Sequence, residues 1–68
     1  MFSKRKIAFK ILEYLRSRTK ASVKELYEIL SKEFDISYSQ LSTLLMQLEI
    51  EGFLTVSEGK EYIVILKK

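Results

Sequence analysis

Cysteine and histidine are both absent from this 68-residue chain, so covalent or acid–base chemistry would have to rest on carboxylates, lysines or tyrosines. The same absence removes disulfides, structural zinc and nearly every transition-metal site. The carboxylates fall at exposed helical positions, and there is neither a metal-ligand cluster nor a phosphate-binding loop. No enzyme, cofactor or bound metal is therefore expected. What remains is the chemistry of charge and hydrogen bonding, and the charge is unevenly spread. Residues 1–24 hold eight basic side chains against the single carboxylate of Glu13, a net +7. Residues 25–61 hold Lys32 and Lys60 against seven glutamates and Asp35, a net −6, and Lys67 and Lys68 add +2 at the end. This asymmetry implies an electrostatically polarised surface. Taken alone, it describes two solvated faces that keep a small protein soluble.

A chain of 68 residues makes one small domain. Its hydrophobic core alone supplies at most ~3–5 kcal/mol of net stability, which favours oligomerisation. A composition 47% hydrophobic and 31% charged, with two glycines and no proline, is that of a folded domain rather than a linker. No apolar run approaches the ~20 residues needed to cross a bilayer, and no signal peptide precedes the first charged cluster, so a soluble, cytoplasmic protein is expected.

Hydrophobic periodicity divides the chain into three helices, at about 3–18, 22–34 and 37–51, and a hairpin at about 53–66. In the first helix Ala8, Ile11, Leu12 and Leu15 form the buried stripe, flanked by Ile7 and Tyr14. Ser3 serves as its cap, while Arg16 and Arg18 suit its C-terminal dipole. Thr19-Lys20-Ala21 reads as a short extended link. Ser22-Val23-Lys24-Glu25 has the form of a reciprocal capping box, and the helix it opens places Val23, Leu26, Tyr27, Leu30 and Phe34 on one face. Ser37-Tyr38-Ser39-Gln40 repeats the capping signature before the stripe of Leu41, Leu44, Leu45 and Leu48. Gly52 is expected to end that helix in the left-handed conformation. Phe53–Ser57 and Tyr62–Leu66 are rich in aromatic and β-branched residues, with Glu58-Gly59-Lys60 as the turn between them.

The order helix, helix, short turn, helix, hairpin resembles that of the winged helix-turn-helix family. The residues that carry the resemblance run from Asp35 to Leu54: a serine-rich helix start, the leucine stripe, and the ending Leu48-Glu49-Ile50-Glu51-Gly52-Phe53-Leu54. Val23-Lys24-Glu25-Leu26 is similar to the family's second-helix opening. The resemblance covers almost the whole chain and points to small stand-alone regulators of archaea and their viruses. It implies an α+β, mainly helical fold, a single winged-helix domain over 1–68, and double-stranded DNA as partner.

The third helix's outer face holds Ser39, Ser42, Thr43, Met46 and Gln47, with Gln40 at its margin and Ile50 near the end, where the hairpin is expected to cover it. Such a helix fits the ~12 Å major groove. Glutamine can bond adenine twice, and threonine or methionine can touch a thymine methyl, so an A·T-rich site is expected. Ser37 and Ser39, at the helix start, are placed to hold a phosphate. Many winged helices carry Arg or Lys where Thr43, Met46 and Gln47 stand here, and Glu49 and Glu51 would repel a phosphate. The positive charge for phosphate contact must then come from Lys4, Arg5, Lys6 and Lys10, from Arg16, Arg18, Lys20 and Lys24, and from Lys60 at the wing tip.

Phe9 lies about half a turn from the centre of the first helix's stripe, with Met1 and Phe2 nearby. It reads as a two-fold homodimer contact, with Tyr14 as its companion, rather than as a side chain folded on the last strand. The absence of asparagine, with Gln40 and Gln47 as the only side-chain amides, fits a thermophilic composition rich in Lys and Glu. Two functional readings follow. The first is a DNA-binding transcription regulator acting as a homodimer. The second is a winged-helix protein-interaction module, an accessory subunit of a larger complex, which the acidic second and third helices and Phe9 favour.

Overall fold

The computed structural model describes residues 4–67, so the capping role expected of Ser3, the apolar Met1 and Phe2, and Lys68 lie outside the described residues. The elements run α1 (Lys4–Arg18), β1 (Lys20–Ser22), α2 (Val23–Glu33), α3 (Tyr38–Ile50), β2 (Leu54–Ser57) and β3 (Ile63–Leu66). This is the winged-helix layout, three helices on a small antiparallel sheet. The helices are slightly shorter than the periodicity predicts because the caps Ser22, Phe34, Ser37 and Glu51 stand outside them.

The expected hairpin of β2 and β3 forms in the register Leu54↔Leu66 to Ser57↔Ile63. The extended link does more than connect. Residues Lys20–Ser22 pair with β3 through Lys20↔Ile65, Ala21↔Val64 and Ser22↔Ile63, so the sheet has the order β1-β3-β2 with β3 central. Val23 N–H to Tyr62 O (3.0 Å) and Leu66 N–H to Thr19 O (2.9 Å) extend the pairing at either end. The α2 N-terminus is thereby fastened to the base of the wing.

The core joins Ile7, Ile11 and Leu15 of α1, Leu26 and Leu30 of α2, Leu41, Leu44, Leu45 and Leu48 of α3, and Leu54 and Val64 of the sheet. In α1 the stripe is displaced from the expected one. Ile7, Ile11 and Leu15 are fully buried, whereas Ala8 and Leu12 are only partly so. The reason is tertiary: α1 packs on β1 and β3 as well as on α3, and the contact is centred on the Ile7 side of the helix.

Two left-handed residues mark the helix ends. Gly52 (φ 87°) follows α3, with Gly52 N–H bonded to Glu49 O (3.1 Å) and Phe53 N–H to Leu48 O (3.0 Å), which satisfies two carbonyls the helix leaves open. Thr19 (φ 73°) does the same after α1, its N–H reaching Leu15 O at 2.6 Å. Threonine is β-branched, and its Cβ meets the following carbonyl in this conformation at a cost of ~1–2 kcal/mol. Thr19→Gly is therefore expected to raise the melting temperature by a few degrees, net of the ~0.5–1 kcal/mol of unfolded-chain entropy that glycine adds. Gly52→Ala is expected to lower it, by strain alone, since a Cβ there would meet no atom within 4 Å. Calorimetry on both variants checks the pair, and a melting temperature lowered by Thr19→Gly would count against the strain at Thr19.

Candidate nucleic-acid interface

The α3 helix begins with a complete capping box. Gln40 N–H donates to Ser37 Oγ (3.1 Å), and Ser37 N–H donates to Gln40 Oε1 (2.9 Å). Gln40 and Ser37, both candidates for DNA contact, thus have their side chains engaged in holding the helix start. Four leucines anchor the inner face, and the opposite face is left to solvent. Ser39, Ser42, Thr43, Met46 and Gln47 are all exposed there, as the periodicity predicts. The Thr43 hydroxyl donates back to Ser39 O (3.0 Å), so the group it offers outward is its methyl. Ile50 is not covered by the hairpin; it is 80% exposed, because the chain turns away at Gly52 before the sheet begins.

The ending Leu48-Glu49-x-x-Gly52-Phe53-Leu54 has a mechanical explanation. Leu48 and Leu54 are buried, Gly52 makes the turn, and Glu49 Oε2 accepts a hydrogen bond from Val56 N–H at 3.2 Å. β2 is an edge strand, and this carboxylate occupies an outward-pointing amide that would otherwise be open to another chain.

The predicted basic residues are divided between surfaces. Lys24 is exposed on the first turn of α2, next to Val23 and hence to the wing base. Lys60 stands in the five-residue wing loop between β2 and β3, flanked by Glu58 and Glu61. Lys20 is exposed on β1. Arg18 lies over the Tyr14 ring, 5.0 Å from its centroid, and within 4.0 Å of Glu25. Arg16 projects from the side of α1 that turns away from the core, together with Arg5 and Phe9. Lys10 pairs with Glu33 of α2 at 3.3 Å, an exposed bridge worth at most ~1 kcal/mol.

Glu25 revises one expectation, through its contact with Tyr14. Ser22 Oγ accepts from Glu25 N–H (3.0 Å), but the Glu25 carboxylate takes the Tyr14 hydroxyl and approaches Arg18 rather than closing the capping box. The hydrogen bond to Glu25 raises the phenol's pKa above its ordinary 10.0, burial adds to this, and Arg18 opposes it. Tyr14 is thus half-buried and ties α1 to α2.

Beside α3 lies a groove of about 440 Å³ against the wing, lined among others by Tyr38, Ser42, Met46, Val56 and Tyr62, with the carboxylates of Glu49 and Glu58. Tyr38 and Tyr62 were not singled out from the sequence. The helical row Tyr38, Ser42, Leu45, Glu49 was the signal that could have found the first, whereas Tyr62 reads simply as strand. Tyr38 is steadied from behind by Tyr27 of α2, the ring centroids 5.6 Å apart. Among the described residues no group of carboxylates is placed to hold a metal ion, and no helix is long and apolar enough to cross a membrane.

The fold resembles a solved structure from work on the DNA recognition and protein interaction domains, and the homologous DNA pairing properties, of HOP2. The TM-score is 0.74 and the identity 25%, covering 90% of this chain and 98% of that one. A search of the curated proteins returned no match. The penicillinase repressor family model matches residues 7–64, from the first buried isoleucine of α1 to the central strand of the sheet. That match takes in most of α1, all of α2 and the leucine-backed α3, and the wing as far as Val64, and the chain belongs to the penicillinase repressor family, a family of winged-helix DNA-binding proteins.

Proposed function

We propose that this protein is a non-enzymatic, cytoplasmic transcription regulator that binds duplex DNA as a homodimer, with α3 in the major groove. The observation that carries the reading is the exposed, uncharged strip of Ser39, Thr43, Met46 and Gln47 on the helix the family uses for DNA, held rigid by four buried leucines. Phosphate contacts come from Lys24 on the first turn of α2 and Lys60 in the wing loop, with Lys20 and Arg18 at the α1–α2 junction. Carboxylates near the wing keep their number small. With about four phosphate contacts per protomer, raising salt from 50 to 200 mM is expected to weaken each protomer's binding by roughly 150-fold. Selection from a random duplex library, followed by titrations at several salt concentrations, tests the reading. Absence of any enriched site, with weak binding indifferent to salt, would favour a protein-interaction module instead. The amide-poor, Lys- and Glu-rich composition supports a thermophilic setting, and the resemblance carried by Asp35–Leu54 an archaeal or archaeal-virus one.

The dimer contact is assigned to the outer face of α1. Phe9 is 66% exposed and does not fold against the last strand. Arg5 and Glu13 stand four residues to either side of it, on the same helix face. An antiparallel, two-fold pairing centred on Phe9 brings Arg5 opposite Glu13 of the partner subunit, so charges of opposite sign meet twice. Phe9→Glu is expected to convert a dimer to a monomer in sedimentation equilibrium without loss of helix content. A wild-type chain that stays monomeric at high micromolar concentration would remove the dimer.

A further inference from the structure

The two exposed rows of α3 differ in chemistry. Ser39, Thr43 and Gln47 make a polar row. Tyr38, Ser42, Met46 and Glu49 make a second row that faces the wing and, with Val56, Glu58 and Tyr62, forms the 440 Å³ groove. Three large side chains stand open along it, Tyr38 at 47%, Met46 at 61% and Tyr62 at 53%. Its lining includes two carboxylates and no lysine or arginine. Duplex DNA carries one phosphate charge per ~1.7 Å of its axis and would be repelled by the two carboxylates of this lining. An apolar trough with anionic walls is complementary to an apolar side chain flanked by cations.

We infer that the α3–wing groove is a docking site for an extended peptide segment of a partner protein, with an apolar residue seated between Met46, Tyr38 and Tyr62 and a neighbouring Lys or Arg paired with Glu58. Methionine suits such a site, since its flexible thioether adapts to different apolar anchors, and the two phenols supply apolar body with a polar tip. Glu49 contributes charge to the lining while one of its oxygens stays on Val56 N–H. The groove shares Ser42 and Met46 with the outer face of α3, so an occupied groove hinders the helix from entering DNA. A peptide bound there acts as a release signal for the regulator. Peptide binding itself does not depend on the DNA reading.

The test uses the full chain with two fluorescein-labelled octapeptides, one of alternating leucine and lysine and one of alternating leucine and glutamate. Fluorescence anisotropy is expected to show binding of the cationic peptide alone. Glu58→Lys and Met46→Ala are each expected to weaken it about tenfold or more, while Glu28→Lys, an exposed α2 position outside the groove, leaves it unchanged. Both groove positions are exposed, so the fold is retained and circular dichroism verifies it. Amide chemical shifts on adding the cationic peptide should move at Tyr38, Ser42, Met46 and Tyr62. Equal loss with Glu28→Lys, equal binding of the anionic peptide, shifts centred elsewhere, or no binding at millimolar peptide would each overturn the site. The same variants titrated with DNA report on the DNA reading separately, because Glu58→Lys should strengthen duplex binding if α3 enters the groove of DNA.

Discussion

Leu48→Ala is expected to lower the stability of the domain by about 2–5 kcal/mol, and Leu44→Ala by a similar amount. Both side chains are almost wholly buried in the one core that joins the three helices to the sheet. Truncation removes apolar area from that core and leaves a cavity that neighbouring leucines cannot fill without moving the helix. A domain of this length has a total stability of roughly 3–10 kcal/mol, so the loss consumes much of it. The melting temperature should fall by about 4–8 °C for each kcal/mol lost. Ser42→Ala, one turn away on the exposed side, is expected to change stability by no more than ~0.5 kcal/mol. Thermal and urea denaturation of the three variants measures the contrast. If Leu48→Ala cost no more than Ser42→Ala, α3 would not hold the register described.

The second large effect is on sequence-specific DNA binding. Gln47→Ala is expected to weaken a preferred site by ~1–3 kcal/mol while barely changing binding to random duplex, since a lost base contact carries information and little nonspecific affinity. Thr43→Ser should cost part of this, because the threonine hydroxyl is already bonded to Ser39 O and only its methyl faces outward. Lys24→Ala should weaken both kinds of DNA alike and flatten the salt dependence by about one unit of slope. Arg16→Ala, on the α1 face assigned to the dimer contact, is expected to cost less nonspecific affinity than Lys24→Ala. With glutamine, threonine, serine and methionine as readers, the selected consensus should be A·T-rich. A G·C-rich consensus would refute that preference alone, whereas equal losses on all sequences from Gln47→Ala would remove α3 from base reading.

The helices, the N-caps Ser22 and Ser37 and the two faces of α3 were legible in the sequence because each is decided within one or two turns. Leucines at helical spacing select the buried side wherever the helix is packed, Ser37 and Gln40 need only each other, and Gly52 takes its left-handed turn through backbone freedom that no neighbour supplies. The family resemblance rested on the same local features. The tertiary structure decided what depends on groups far apart in the chain. Lys20–Ser22 is too short for periodicity to register, and becomes a strand only because β3, some forty residues later, supplies its hydrogen bonds. Glu25 leaves its capping box because Tyr14 approaches from another helix, and Glu49 serves the sheet because Val56 N–H is turned outward toward it. The separation of the basic residues onto two surfaces, the exposure of Ile50 and the anionic groove have the same origin. A charged side chain's role is set by the donor or charge that folding places beside it, and in this chain those partners belong to other elements.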